Sequence, residues 1–270
     1  MSYNLLKGKK GIIFGALDER SIAWRTALRC HEEGASIVLT NAPVAMRMGE
    51  INKLAEKINA PVIACDVSSN EDVTNLITKS MEHFGGGVDF ILHSIGMSIN
   101  VRKGKHYTEI DYNFNAKSLD ISATSLHRVL ATAMKLDAIN EWGSVVALTY
   151  IASQRVFPDY NEMADAKALL ESITRSFGYH YGVKKHVRVN TISQSPVRTT
   201  AGSGVKGFDG FMAYAEKMSP LGNATADDCA NYCVLMFSDM TKMVTMQNLF
   251  HDGGFSFTGV TAEVIEQMEK

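Results

Sequence analysis

The stretch 9-KKGIIFGALDERSIAW-24 passes from a short apolar run rich in β-branched residues, through a glycine and a polar turn, into a helical pattern opened by Ser21. Read as strand, turn and helix, it sets a pattern that the rest of the chain repeats. Further apolar runs follow at SIVLTN, PVIACD, VDFILHS, GSVVALTY, VRVNTIS and TMQNLFHDGG, each bounded by Gly, Asp or Asn. Helix-length segments begin near Ser21, Val44, Asn70, Tyr112, Asp159 and Thr225. Strands that alternate with helices need right-handed crossovers, which place helices on both faces of a parallel sheet. The expected fold class is therefore α/β: one doubly wound domain over residues 1–270, with a seven-stranded parallel sheet flanked by helices.

Composition narrows the partners. The 270 residues are 46% apolar and 21% charged, which is ordinary for a globular chain and excludes a disordered one. Lysine plus arginine (27) nearly balances aspartate plus glutamate (29), so no strongly basic surface argues for nucleic acid or anionic lipid. No window has the apolar length of a membrane span and no signal peptide opens the chain, so a cytoplasmic protein is expected. Cys30, Cys65, Cys229 and Cys233 form no CxxC and read as reduced apolar residues, with no metal site expected.

In a doubly wound sheet, ligands bind beyond the carboxyl ends of the strands. After the first strand, only Gly15 of a glycine-rich dinucleotide fingerprint is present, with Glu19 and Ser21 at the later glycine positions. Ser21 is a good N-cap, and a helix opening at Ser21 and Ile22 would aim free N–H groups at a phosphate. The third strand ends in CDV, where Asp66 can accept from an adenine amino group and Val67 offers backbone groups. The fourth ends in HSIG, where Ser94, Ile95 and Gly96 are small enough at Gly96 to let a ribose approach, and His93 reads as a positional residue at the strand end rather than a proton donor. The second strand ends without the carboxylate that grips a 2′-hydroxyl, and Arg47 could face a 2′-phosphate. The choice between NADH and NADPH stays open here, leaning to NADH.

The fifth strand ends at Tyr150, and ten residues later stands Tyr160 in 157-FPDYNEMADAK-167. Pro158, Asp159 as N-cap and Glu162 three residues on form a capping-box pattern, which predicts Tyr160 in the first turn of a helix. Lys167 is seven residues further along, about 700° of rotation and about 10.5 Å of rise, so both side chains would leave within about 20° of one face. Met163 shares that stripe, and the bland alternative is a tyrosine and a lysine on one solvated face. Chemistry gives the pair a use: a phenol can stabilise a developing enolate oxygen, and a nearby ammonium favours proton donation and has donors for ribose hydroxyls.

Together, Gly15 with Ser21 and Ala23, Asp66 in CDV, Gly96 in HSIG, Tyr150 and the Tyr-x6-Lys step resemble the enoyl-[acyl-carrier-protein] reductases, the FabI-type divergent branch of the short-chain dehydrogenase/reductases. The similarity continues through 187-VRVNTISQSPVRT-199 and 251-HDGGFS-256 and covers nearly the whole chain. It implies a single NAD(P)-binding Rossmann-type domain that reduces trans-2-enoyl thioesters carried by an acyl carrier protein, in fatty acid elongation, with NADH or NADPH as cofactor. On that resemblance, Tyr160 hydrogen-bonds the thioester carbonyl, Lys167 holds the nicotinamide ribose and Tyr150 lines the acyl site. Val197 and Thr199 contact the carboxamide and pyrophosphate. Residues 196–218 form a mobile flap over the acyl chain, and Met97, Met163, Ala201, Val205 and Phe208 line the substrate pocket. A homotetramer is implied, with the helical stretch 117–139 and the Tyr160 helix as subunit contacts.

Ordinary ketoreductases of the superfamily have Tyr-x3-Lys and a serine about 13 residues before the tyrosine. Here Ala147 and Ala164 occupy those sites, which disfavours a 3-oxoacyl substrate, the alternative enzyme reading. A catalytically silent nucleotide-binding protein is the remaining alternative. Against the common family pattern, Ala164 replaces a glycine, Asp165 adds a charge, and Gln194 and Ser195 stand where Ala-Gly is usual.

Overall fold

Each of the seven apolar runs becomes a strand. The computed structural model describes residues 2–47, 50–200, 202 and 207–269. Strands β1 (Lys10–Phe14), β2 (Ser36–Asn41), β3 (Val62–Ala64), β4 (Val88–His93), β5 (Ile139–Thr149), β6 (Arg188–Gln194) and β7 (Asn248–His251) form one sheet in the order β3-β2-β1-β4-β5-β6-β7. Every neighbouring pair is parallel. The order reverses between β1 and β4, so chain leaving these two strands diverges and leaves a crevice at their carboxyl ends.

The connecting helices are α1 (Ile22–Glu32), α2 (Pro43–Met46), α3 (Glu50–Ile58), α4 (Asn70–Phe84), α5 (Ile99–Arg102), α6 (Tyr112–Leu119), α7 (Ser125–Lys135), α8 (Met163–Lys185), α9 (Phe208–Met218), α10 (Ala226–Phe237) and α11 (Ala262–Met268). Several expected starts hold. Ser21 caps α1 by accepting from the Trp24 N–H at 3.2 Å, and Thr225 with Asp228 forms a reciprocal capping box at α10.

Three expectations are corrected. The helix expected from Val44 is two pieces, α2 and α3, so Arg47 caps the end of α2 at the surface instead of lying within a longer helix. The stretch 117–139 is not one helix: Asp120–Thr124 widens into a π-type turn between α6 and α7, and α7 ends at Lys135. The helix expected from Asp159 begins later, because Pro158–Tyr160 make a 3₁₀ turn and α8 starts at Met163.

Two apolar layers sandwich the sheet. Trp24 and Ala27 of α1, Leu54 of α3 and Phe237 of α10 cover one face, packing on Ile13 and Leu39. Leu76 of α4, Leu126 and Val129 of α7 and Leu170 of α8 cover the other. Fully buried side chains of this size each contribute roughly 1.5–3 kcal/mol. The four cysteines are buried and unpaired, as expected. Among the described residues, no helix is long and apolar enough to cross a membrane, and no group of three or more His, Cys, Asp or Glu could hold a metal ion. A smaller cluster around Tyr150, Ile151, Met218 and Phe255 lies beyond the sheet, beside the crevice.

Candidate active site

The crevice is a cavity of ≈ 400 Å³ lined from four strand ends. Gly15 and Ser21 come from the turn after β1, Ser94–Met97 follow β4, Tyr150 follows β5, and Ser195 and Pro196 follow β6. Gly15 has φ +93°, and a Cβ there would lie 2.0 Å from the Ser94 carbonyl oxygen. The one retained glycine is thus the one that lets β1 and β4 part at this spacing. At Gly96 a Cβ would meet only the Met163 Cε at 3.5 Å, leaving cavity space above the backbone.

At the mouth of α1, the Ser21 hydroxyl is already engaged. It donates to the Asp18 carbonyl at 2.9 Å and accepts from Trp24, which leaves an anion to the helix N–H groups themselves. Asp18 in the same turn accepts a short hydrogen bond from the Thr200 hydroxyl across the cavity, and Arg20 Nη2 reaches Thr200 Oγ1 at 2.8 Å and Asp18 Oδ2 at 3.2 Å. Burial pushes the Asp18 carboxyl up, but these bonds outweigh it and hold its pKa below the ordinary value.

Beyond β5, four aromatic rings surround the crevice wall. Tyr150 and Tyr160 lie 5.2 Å apart between ring centroids, and Phe157 and Phe211 lie 5.5 and 5.9 Å from Tyr150. Burial raises the pKa of both phenols, so both stay protonated at neutral pH. The Tyr150 hydroxyl is buried without a hydrogen-bond partner among the described residues. Lys167 is buried and donates to the Leu148 carbonyl at 2.7 Å. Burial pulls its pKa down to about 8, and Glu171 opposes the fall. His93 is held neutral, its pKa pulled to about 3 by burial, with Nε2 2.8 Å from Ser125 Oγ, in keeping with a positional role.

Tyr160 and Lys167 do converge on one cavity, but not by helical phase. Tyr160 ends the 3₁₀ turn, Asn161 reverses the chain at φ +52°, and only then does α8 begin. Glu162 does not complete a capping box with Asp159: its Oε1 accepts from Ser98 Oγ at 2.5 Å and Ser118 Oγ at 3.1 Å. Tertiary partners on α5 and α6 thus outcompete the local cap.

The cavity gathers Gly15, Ser21, Ile22, Ser94, Ile95, Gly96, Met97, Tyr150, Tyr160, Met163, Lys167, Thr199 and Phe208. Asp66, Val67 and Val197 are not on its wall. Asp66 is exposed and accepts from the Ser68 N–H and hydroxyl at 2.9 and 2.6 Å; these bonds lower its pKa. The Val67 carbonyl is already taken by Arg128 Nη1 at 2.6 Å, and the Val197 carbonyl by the Thr199 N–H at 2.7 Å. Ala201 and Val205 lie outside the described residues. Sequence reading missed Leu17 and Phe157 on the wall, and Gln194, singled out only as a departure, lies there too. Phe157 had a signal, since an aromatic directly before Pro158 is held extended three residues ahead of Tyr160.

The sequence profile of the family described as Enoyl-(Acyl carrier protein) reductase matches residues 15–256. A relative named enoyl-[acyl-carrier-protein] reductase [NADH] FabI from Rickettsia bellii is 34% identical over 262 residues, covering 96% of this chain and 98% of its own length. One of the same name from Aquifex aeolicus is 34% identical over 261 residues, covering 95% and 94%. The crystal structure of a FabI–NADH complex from Alistipes finegoldii superimposes with a TM-score of 0.95 at 64% identity, covering 96% of this chain and 92% of that one. The chain belongs to the enoyl-[acyl-carrier-protein] reductase family.

In this reductase three departures from the usual family pattern, Asp165, Gln194 and Ser195, have partners. Asp165 accepts from the Tyr107 hydroxyl at 3.2 Å, and the nearby Asn161 Nδ2 donates to the Lys105 carbonyl at 2.7 Å. Both bonds fasten the connection between α5 and α6 to the beginning of α8, and Met97 just before α5 and Val101 within it lie on the cavity wall. Gln194 Oε1 pairs with His251 Nδ1 at 2.8 Å, and Ser195 Oγ accepts from the Ala224 N–H at 3.1 Å. The two residues that replace Ala-Gly thus tie the end of β6 to β7 and to the start of α10.

Proposed function

We propose that this protein reduces trans-2-enoyl-[acyl-carrier-protein] thioesters to saturated acyl thioesters with NADH, the reductive step that closes a round of fatty acid elongation. The carrying observation is the paired Tyr150 and Tyr160 rings over a cavity floored by Lys167, in a chain of the enoyl reductase family. NADH is the cofactor named in its relatives.

The residues fit a dinucleotide. The Gly15 contact with Ser94 and the open space at Gly96 make a cradle that side chains would fill, and the N-terminus of α1 faces it. The α1 N–H groups from Ile22 onward would hold the pyrophosphate, Ser94, Ile95 and Gly96 would flank a ribose, and Asp66 and Val67 would take the adenine. Val197 and Thr199 would meet the carboxamide and pyrophosphate, and Lys167 the nicotinamide ribose.

When bound, NADH supplies the hydride that adds to the substrate β-carbon. Tyr160, kept protonated by burial, donates a hydrogen bond to the thioester carbonyl and strengthens it as that oxygen takes up enolate charge. The positive charge of Lys167 supports this donation, and Tyr150 with Phe157 and Phe211 presents an apolar wall that keeps water from the enolate. Met97, Met163, Ala201, Val205 and Phe208 would line the acyl chain. Residues 196–218 would act as a flap on a single cofactor-binding domain. We also propose a cytoplasmic homotetramer; Tyr112 on α6 and Leu169, Tyr179 and Val183 on α8 stay exposed on one chain, which supports those helices as the contact.

The test is purified protein with a crotonyl thioester and NADH or NADPH in parallel, followed by nicotinamide absorbance. The expected result is NADH oxidation that depends on the enoyl thioester and is absent with a 3-oxoacyl thioester. No turnover with either nucleotide on any 2-enoyl thioester would sink the proposal.

A further inference from the structure

Behind Lys167 lies a buried carboxylate that the reaction outlined above does not use. Glu171 stands one turn further along α8 and is 6% exposed. Its Oε1 accepts from Thr149 Oγ1 at 2.8 Å, from Ser153 Oγ at 2.5 Å and from Asn248 Nδ2 at 3.2 Å. One oxygen thus joins the end of β5, the turn that follows Tyr150, and the start of β7. Burying a carboxylate is costly unless donors and an opposite charge compensate it. Here three donors converge on it, one helical turn from Lys167.

The strand end that Glu171 grips is the one that places the site. Leu148, whose carbonyl holds Lys167, directly precedes Thr149, and Tyr150 directly follows it. We propose that Glu171 is a positioning residue for the reduction: it locks the Leu148–Ser153 segment, with the carbonyl that holds Lys167, and the start of β7 into one arrangement. This rests on the reading of Lys167 as the ribose-binding lysine.

The groups around Lys167 make the charge effect separable. His93 faces it from β4 but is neutral above a pKa of about 3, and Tyr150 and Tyr160 are held protonated by burial. Glu171 is the group that holds the Lys167 pKa up against burial. Removing its charge lets Lys167 lose its proton at a lower pH.

The experiment measures NADH dissociation constants by fluorescence from pH 6 to 9.5 on the full chain, together with kcat on a crotonyl thioester. In the unaltered protein, affinity should fall as pH rises through about 8. Glu171→Gln should move that midpoint down by about one unit and so weaken binding at pH 7 about two-fold. Ser153→Ala, which keeps the charge but removes one donor, should leave the midpoint in place and lower kcat about three- to ten-fold. Lys167→Met should flatten the pH dependence. If Lys167→Met flattens it while Glu171→Gln leaves midpoint, affinity and kcat unchanged, the role of Glu171 is overturned and that of the lysine stands. If Lys167→Met keeps the original pH dependence, the lysine reading fails first. Should Glu171→Gln not fold, Thr149→Val with Ser153→Ala carries the test, and unchanged kcat there overturns the positioning role.

Discussion

On the proposed mechanism Tyr160 carries the chemistry and Gly15 the cradle with single groups, so single substitutions separate them. Tyr160→Phe removes one hydroxyl from a recessed ring and leaves its aromatic contacts in place. Loss of one donor to a developing oxyanion costs about 10²- to 10³-fold in rate, so kcat should fall in that range while NADH binds within about two-fold of the parent. Steady-state kinetics with a parallel NADH titration checks both halves, and an unchanged kcat would remove Tyr160 from the mechanism. Gly15→Ala and Gly96→Ala make a contrasting pair. At Gly15 the new methyl must enter space held by the Ser94 carbonyl, on backbone at φ +93°, so both the thermal midpoint and NADH affinity should drop. At Gly96 the methyl meets only the end of a flexible methionine and projects into the cavity. That variant should melt with the parent yet bind NADH about ten-fold more weakly, because the space it fills is ligand space and not core.

Elements join the crevice from opposite sides, and the turn after β1 meets the segment after β6 through Asp18, Arg20 and Thr200. The Arg20–Asp18 ion pair, with Arg20 exposed, would contribute little to stability. What the two residues hold is Thr200 against the turn after β1, which on the proposed function is where the pyrophosphate binds. Thr200→Val removes the hydroxyl and keeps the shape, so NADH release measured by stopped flow should quicken about three- to ten-fold with the thermal midpoint unchanged. Equal release rates would show that this contact does not close the cavity. The same scale explains what was legible beforehand. Parallel strands are buried on both faces, so their runs stand out as continuous apolar segments, and all seven could be read. Caps such as Ser21 and Thr225 are local devices and could also be read. The start of α8 could not, because Asp159 and Glu162 satisfy the local capping rule while the real partners of Glu162 are Ser98 and Ser118, more than forty residues away in sequence. Asp165 and Gln194 were visible only as departures; their partners, Tyr107 and His251, are brought near by the fold alone.

Across the whole molecule, the two faces of α8 are used unequally. Leu170 and Tyr181 are buried against the sheet layer, whereas Leu169, Tyr179 and Val183 are 38%, 60% and 72% exposed. A helix that carries Lys167 at one end and leaves apolar side chains in water along its length has a surface suited to a second copy of the chain. Such an assembly would stiffen α8 and, through it, the floor of the cavity. Leu169→Glu with Val183→Glu tests this cleanly, because in an isolated chain both positions are solvated and charge there should alter stability by no more than about 0.5 kcal/mol each. In a tetramer built on this helix, the same pair would bury unpaired charge at the contact. Sedimentation velocity should then show the parent as four chains and the double variant as smaller species, with a lower thermal midpoint and reduced turnover. A double variant that sediments and melts like the parent would place the subunit contact elsewhere and leave the exposed face of α8 without an assembly role.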